Sequence, residues 1–286
     1  MRWKRARRSD NVVDARSSGR GLRVGGGLGL GGIAIVVVLS LIMGEDPLRM
    51  LDQLAGQSGT PTGVQNAPPA ADDPNSQFVR AVLGDTEDTW GALFAQAGGQ
   101  YQQPRLVLFS GGVNSACGFA TAAVGPFYCP ADRQVYLDLQ FFNELEQRFG
   151  AAGDFAQAYV IGHEVGHHVQ TLLGISRQVE LARQQGEPME GATGLLVRQE
   201  LQADCLAGVW AHHAQRRLDW MEEGDLEEAL NAATAIGDDR LQQRSRGQVV
   251  PDSFTHGSSE QRVRWFRTGF DSGDAGRCDT FQAARL

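Results

Sequence analysis

The sequence predicts an α+β domain, mostly helical with a small β component, preceded by one transmembrane helix. Three observations point there. A charge-free apolar stretch lies near the N-terminus, two short runs have the length and pattern of strands, and several longer runs carry apolar residues at helical spacing.

The apolar stretch is Val24–Gly44, which holds no charged residue and contains the run IAIVVVLSLIM. A bilayer core of ~30 Å takes roughly 20 helical residues, so the segment is just long enough to span it. Its first half, GGGLGLGG, weakens the helix, although glycine is commoner in membrane helices than in soluble ones. Eight basic residues precede it (Arg2, Lys4, Arg5, Arg7, Arg8, Arg16, Arg20, Arg23) against Asp10 and Asp14, and Glu45 and Asp46 follow. The positive-inside rule then makes residues 1–23 a basic cytoplasmic tip and puts the rest in a periplasmic or extracellular space. A cleaved signal peptide is the rival reading, but the charged region is long for one and no small-x-small site follows Met43. Residues 45–76, rich in Pro, Gly, Ser, Asp and Asn, read as a flexible linker, and residues 77–286 as one folded domain.

Within that domain FVRAVLGDTEDTWGALFAQAG reads as an amphipathic helix interrupted near Gly84 and Asp85. RLVLFSG reads as a strand, and RQVYLDL (133–139) alternates as a half-buried strand does. A helical FFNELEQRFG follows, closed by Gly150. Asp154 is placed to cap the next helix, FAQAYVIGHEVGHHVQTLL, which Gly174 ends. A second long helix covers Thr193 to Leu218, and a third starts at Asp225 with capping-box spacing to Glu228.

The charge is uneven. The total is −8, and with a surplus of six positive charges in the tip the remainder carries about −14. Such a body repels phosphate, which excludes a nucleic-acid-binding domain. The four cysteines suit an exported chain. Cys117 and Cys129 bracket a short Gly- and Pro-containing loop and are the favoured pair, with Cys205 and Cys278 following by elimination; four independent thiols are the alternative.

Chemistry concentrates in HEVGH, residues 163–167. Residues four apart on a helix lie one turn apart on one face, so the imidazoles of His163 and His167 converge. Neutral imidazole is a good zinc ligand, and Glu164 can reach a water on the metal as general base. Flanking Tyr159, Val160, Ile161, Val165 and Val169 bury this helix, and buried polar groups need a partner such as a metal. Two histidines leave a zinc site one protein ligand short, and Glu200 in ELQAD is the candidate. Asp204, one turn on, suits a hydrogen bond to the far nitrogen of a ligand histidine. His168 points off the metal face and reads as a packing or surface residue, and His212 and His213 lie too far along their helix to share the metal and read as surface residues. His256 sits in FTHGSSEQR, where it either folds over the site to stabilise an oxyanion or bonds local backbone at a helix start.

HEVGH, ELQAD and THGSSEQR together resemble the signature of the neutral zinc metallopeptidase family of bacterial single-pass membrane proteins. The resemblance covers roughly Gln77 to the C-terminus and extends to the layout of basic tip, anchor and linker. It implies a zincin-like fold with a β-edge beside the active helix, where RQVYLDL falls. It also implies His163, His167 and Glu200 as zinc ligands, Glu164 as base, Asp204 behind the ligands, and His256 as the family's downstream histidine. The expected function is membrane-anchored hydrolysis of a peptide or protein substrate by a zinc-activated water. GVNSACG lacks the spacing of a serine-hydrolase elbow. The alternative from another class is a membrane-tethered, zinc-containing binding or assembly module, against which an intact Glu164 argues.

Overall fold

Apolar, β-rich runs become strands where the sequence places them. The computed structural model describes residues 1–16 and 73–286. A four-stranded sheet has the order β1 (Val12–Asp14), β2 (Arg105–Phe109), β6 (Gln134–Asp138), β5 (Phe127–Cys129). β1, β2 and β6 run parallel, and β5 closes the order antiparallel to β6. Leu106 to Phe109 are buried without alternation, as a strand covered on both faces requires. A separate hairpin, β3 (Gly112–Ser115) with β4 (Gly118–Thr121), was not anticipated. Its GVNSACGFAT sequence is rich in small and polar residues, and most of it is exposed.

RQVYLDL is a strand, but it is not the edge. β6 is paired on both sides, by β2 and β5, so the edge beside the active helix belongs to β5. FYC is too short to announce itself, and the bridge from Cys129 to Cys117 ties its end to the β3–β4 hairpin. The second expected bridge, Cys205–Cys278, is also formed.

The helices are α1 (Pro74–Gln96), α2 (Gln140–Gln147), α3 (Asp154–Leu172), α4 (Ile175–Gln184), α5 (Leu195–Leu218), α6 (Asp225–Ala235), α7 (Asp238–Arg246) and α8 (Ser259–Ser272). One apolar core joins Leu106, Leu108, Val135 and Leu137 of the sheet to Val79 and Leu83 of α1, Phe155 and Ile161 of α3 and Trp210 of α5. Two glycine contacts set the helix spacing that matters. A Cβ on Gly166, inside HEVGH, would stand 2.8 Å from the carbonyl oxygen of Ala203, so α3 and α5 touch backbone to backbone. A Cβ on Gly269 of α8 would stand 1.9 Å from the carbonyl oxygen of Cys205. Three helices thus converge on the residues around Glu200 and Asp204.

Several local expectations are corrected. α1 runs unbroken through Gly84 and Asp85: Gly84 admits the backbone of Arg7, and Asp85 accepts from Trp210 Nε1 and pairs with Arg217. It also starts at Pro74, inside the segment expected to be linker. Asp154 is not the cap of α3; Gly153 holds that position, and the Asp154 carboxylate takes the Met1 amino group at 3.1 Å. Likewise Gly224 precedes α6, and Glu228 reaches across to the backbone N–H of Phe155. His212 and His213 are half-buried rather than surface residues, bonded to the carbonyls of Phe270 and Gly273 at the end of α8.

The larger correction concerns the N-terminus. Residues 1–14 are part of the same folded unit as the domain. Val12–Asp14 extends the sheet, Ala6 and Val12 are buried in the core, and Arg7, Ser9 and Asn11 all bond Glu87 of α1. The basic groups are therefore spent partly on intramolecular ion pairs. A strand hydrogen-bonded into a sheet lies on the same side of any membrane as that sheet. This pairing does not support a separate tip at residues 1–23, since residues 1–14 fold with the domain. The 24–44 segment itself, and all of the expected linker but its last residues, fall outside the described residues. Among the described residues no helix is long and apolar enough to cross a membrane.

Candidate metal centre

The helical spacing of HEVGH brings His163 and His167 to one face of α3, with ring centroids 4.8 Å apart. The Gly166–Ala203 contact brings α5 close enough for Glu200 to face both rings. His163 Nε2 lies 3.2 Å from Glu200 Oε2, and His167 Nε2 lies 3.3 Å from Glu200 Oε1. One ligand atom from each residue falls within 4.8 Å of the others.

Each imidazole is held from behind. His163 Nδ1 donates to Asp204 Oδ1 at 2.8 Å, and His167 Nδ1 donates to Gln170 Oε1 at 2.9 Å. With the protons on Nδ1, both Nε2 lone pairs point at carboxylate oxygens. Acceptors so opposed draw a cation between them, either protons on the imidazoles or a metal ion in their place. With one ligand atom from each residue within 4.8 Å of the others, the three side chains are close enough to share one metal ion. Two imidazoles and one carboxylate, with a fourth position left to solvent or substrate, form a donor set that fits catalytic zinc.

Behind His163 lies a buried network. Asp204, 0% exposed, also accepts from Tyr159 OH at 2.5 Å and from Arg262 Nε and Nη2 at 2.9 Å each. Arg262 is itself only 2% exposed and donates to Tyr159 OH. Behind His167 the holder is a neutral amide: Gln170 Nε2 donates to the carbonyl of Gln199 and to Gln202 Oε1. Asp204 was expected here. Arg262, Gln170 and Tyr159 were not, although Arg262 ends the THGSSEQR motif and Gln170 follows His167 by three residues.

The electrostatics agree with this geometry. Burial opposes charge on His163, but Asp204 and Glu200 overcome it and lift the imidazole to about 10. Burial likewise opposes charge on His167, yet Glu200 raises it. Glu200 is held well below the usual carboxylate range because the two imidazoles outweigh its burial. Asp204 is lowered in the same way by Arg262 and His163. Glu164 differs: its burial dominates and raises the carboxyl, only partly offset by His163 and His167. A carboxyl moved upward suits a group that must take up and release a proton near neutral pH.

His163, Glu164, His167, Glu200 and His256 line one cleft of about 660 Å³, together with Phe127 and Tyr128 of the β5 edge. His256 reaches it from the loop before α8, its side chain 52% exposed. Asp238, at the start of α7, holds that loop. Its Oδ2 accepts the backbone N–H of Thr255, His256 and Gly257, and its Oδ1 lies 3.2 Å from His256 Nδ1. The alternative of a histidine bonded only to local backbone is thus set aside, since the ring's partners are Asp238 and the Thr255 hydroxyl. His168 is a packing residue, bonded to Tyr128 OH and the carbonyl of Gln102.

The chain is 49% identical to "Uncharacterized protein YpfJ" of Escherichia coli K12 over 286 residues, covering 98% of this chain and 99% of the relative. It is 41% identical to "Uncharacterized protein Rv2575" of Mycobacterium tuberculosis over 259 residues, 86% of each chain. No solved structure matches. Residues 1–281, the N-terminal strand included, match the family described as "Putative neutral zinc metallopeptidase", and the chain belongs to that family.

Proposed function

We propose that this protein is a zinc-dependent peptidase that binds an extended peptide along β5 and cleaves it with Glu164 as general base. The observation that carries the proposal is the placement of Glu164. It opens into the same cleft as the three-ligand set and the sheet edge, with its carboxyl raised by burial. A zinc site serving structure alone gains nothing from such a group.

His163, His167 and Glu200 would hold the ion, with Asp204 and Gln170 fixing the rings. Bound there, zinc supplies a Lewis acid that polarises the scissile carbonyl and acidifies water. Glu164 removes the proton from the attacking water and delivers it to the leaving amine. His256, oriented through Asp238, donates a hydrogen bond to the oxygen that gains charge in the tetrahedral stage. The backbone of β5 pairs with the substrate main chain, a mode that reads side chains only through the pockets beside it.

The two disulfides support a domain placed in an oxidising compartment, periplasmic or extracellular. Residues 1–14 accompany the domain to that side, so any membrane contact made by residues 24–44 leaves both flanks together. The test of function is a broad peptide-library digest by the zinc-loaded protein, with Glu164→Gln as the control. Cleavage that is lost in the control is expected; equal cleavage by both proteins contradicts the proposal.

A further inference from the structure

The two ligand histidines are held by different chemistry. Asp204, an ionised carboxylate, can only accept, so it fixes the proton of His163 on Nδ1 by itself. Gln170 is an amide, which accepts at one end and donates at the other. Turned one way, its oxygen takes the Nδ1 proton of His167 and leaves Nε2 bare. Turned the other way, its nitrogen donates to Nδ1 and moves the ring proton to Nε2, where it blocks a metal. Other groups have to settle which end faces the ring.

Two backbone carbonyls do so. A carbonyl oxygen only accepts, so the end of an amide that meets it is the nitrogen. Gln170 Nε2 donates to the carbonyl of Gln199 at 2.7 Å and to Gln202 Oε1 at 3.0 Å. Gln202 is an amide as well, and its own Nε2 donates to the carbonyl of Cys278 at 2.9 Å. Gln170 is 0% exposed and Gln202 7%, which leaves water little room to replace these partners. Cys278 ends a short helical turn, Ala275–Cys278, and the chain around it is gripped by one face of α5. Arg198, Gln202 and Cys205 stand at i, i+4 and i+7 of that helix. Cys205 is bridged to Cys278, the Arg198 guanidinium donates to the carbonyls of Thr280 and Ala283, and Thr280 Oγ1 donates to the carbonyl of Arg198 at 2.6 Å.

We propose that Gln202 is a positioning residue for the metal centre. It passes the one-way polarity of the Cys278 carbonyl through Gln170 to His167 and keeps Nε2 of that ring free for the ion. The C-terminal segment thereby belongs to the centre, although no residue of 275–286 lines the cleft. The inference rests on the metal reading of the centre and not on peptide hydrolysis.

Zinc affinity of the full-length protein, measured by competition with a chromophoric chelator, tests it. Gln202→Met keeps the length of the side chain and removes its hydrogen bonds. Zinc binding should weaken about 3- to 10-fold, the worth of one hydrogen bond that orients Gln170. Gln202→Asn, too short to span both partners, serves should Gln202→Met fail to fold. Added to Gln170→Leu, Gln202→Met should weaken binding no further, because the relay is already cut and the two losses do not add. Thr280→Val loosens the same segment without touching the relay and should bind zinc as wild type does. With cobalt(II) in place of zinc, the visible bands of Gln202→Met should shift as those of Gln170→Leu do, and those of Thr280→Val should stay. Wild-type affinity in the Gln202 variants, additive losses in the double variant, or an equal loss in Thr280→Val overturns the relay and leaves the metal centre and the peptidase reading standing. A wild-type protein that binds neither zinc nor cobalt overturns the centre and the relay with it.

Discussion

Replacing Arg262 by Leu tests the network that holds the centre from behind. In the native protein Arg262 makes two bonds of 2.9 Å to Asp204, and both residues are out of contact with solvent. The leucine removes the positive charge and leaves Asp204 as a buried anion held only by Tyr159 OH and His163 Nδ1. Breaking one side of a buried ion pair costs about 3–5 kcal/mol. For a domain of this size, at about 2–4 °C per kcal/mol, the midpoint of thermal unfolding should fall by about 6–20 °C. The pH dependence follows from the direction of the Asp204 shift. Its lowered pKa gives stability that is present above the unfolded value near ~4 and is lost as pH falls through the still lower folded value. Without Arg262 the burial of Asp204 is less offset, so acid unfolding should begin at higher pH in the variant. Urea titrations of metal-free wild-type and variant proteins, repeated between pH 4 and 8, measure both effects. A loss below about 1 kcal/mol with an unchanged acid limb would show that Arg262 does not carry the charge balance assigned to it.

Further outcomes follow from other parts of the molecule. The two disulfides should separate by role: opening Cys205–Cys278, 73 residues apart, costs about 4.4 kcal/mol by loop entropy, and opening Cys117–Cys129, 12 apart, about 2.8. Cys117→Ala/Cys129→Ala should also raise KM, because Cys129 ends the substrate edge; unchanged KM in that variant removes β5 from the binding site. Gln170→Leu should weaken zinc binding about 10- to 100-fold in a competition titration while the fold persists, and wild-type affinity would mean that His167 needs no holder. Reporters at the two ends of the chain should report the same side of the membrane; opposite sides would rule out the β1–β2 pairing in the cell.

The clustering of these residues was legible in the sequence because its logic is local. His163 and His167 are fixed by helix period, Glu164 by adjacency, and Glu200 with Asp204 by one turn of a second buried helix. What escaped depends on distant chain segments. Arg262 looks like one of many arginines until α8 presses on α5 at Gly269, and only then does it meet Asp204. Asp238 went unread in the sequence and becomes the holder of His256 only through the turn at Gly257. The edge strand was misplaced because RQVYLDL alternates clearly, whereas FYC is three residues set beside a disulfide. The N-terminal arginines read as a topology signal because their partners, Glu87, Asp88 and Asp219 among them, lie far along the chain.

The central claim separates metal binding from proton transfer. His163, His167 and Glu200 hold the ion, and Glu164 acts only on water and substrate. Metal content measured on wild type, Glu164→Gln and Glu200→Ala, alongside peptide hydrolysis, tests it most directly. Wild type and Glu164→Gln should each hold one equivalent of zinc with matching thermal midpoints. Hydrolysis by Glu164→Gln should fall by about 10²- to 10⁴-fold, and Glu200→Ala should lose zinc. Loss of zinc from Glu164→Gln to the degree seen for Glu200→Ala, or full zinc retention by Glu200→Ala, would contradict the assignment.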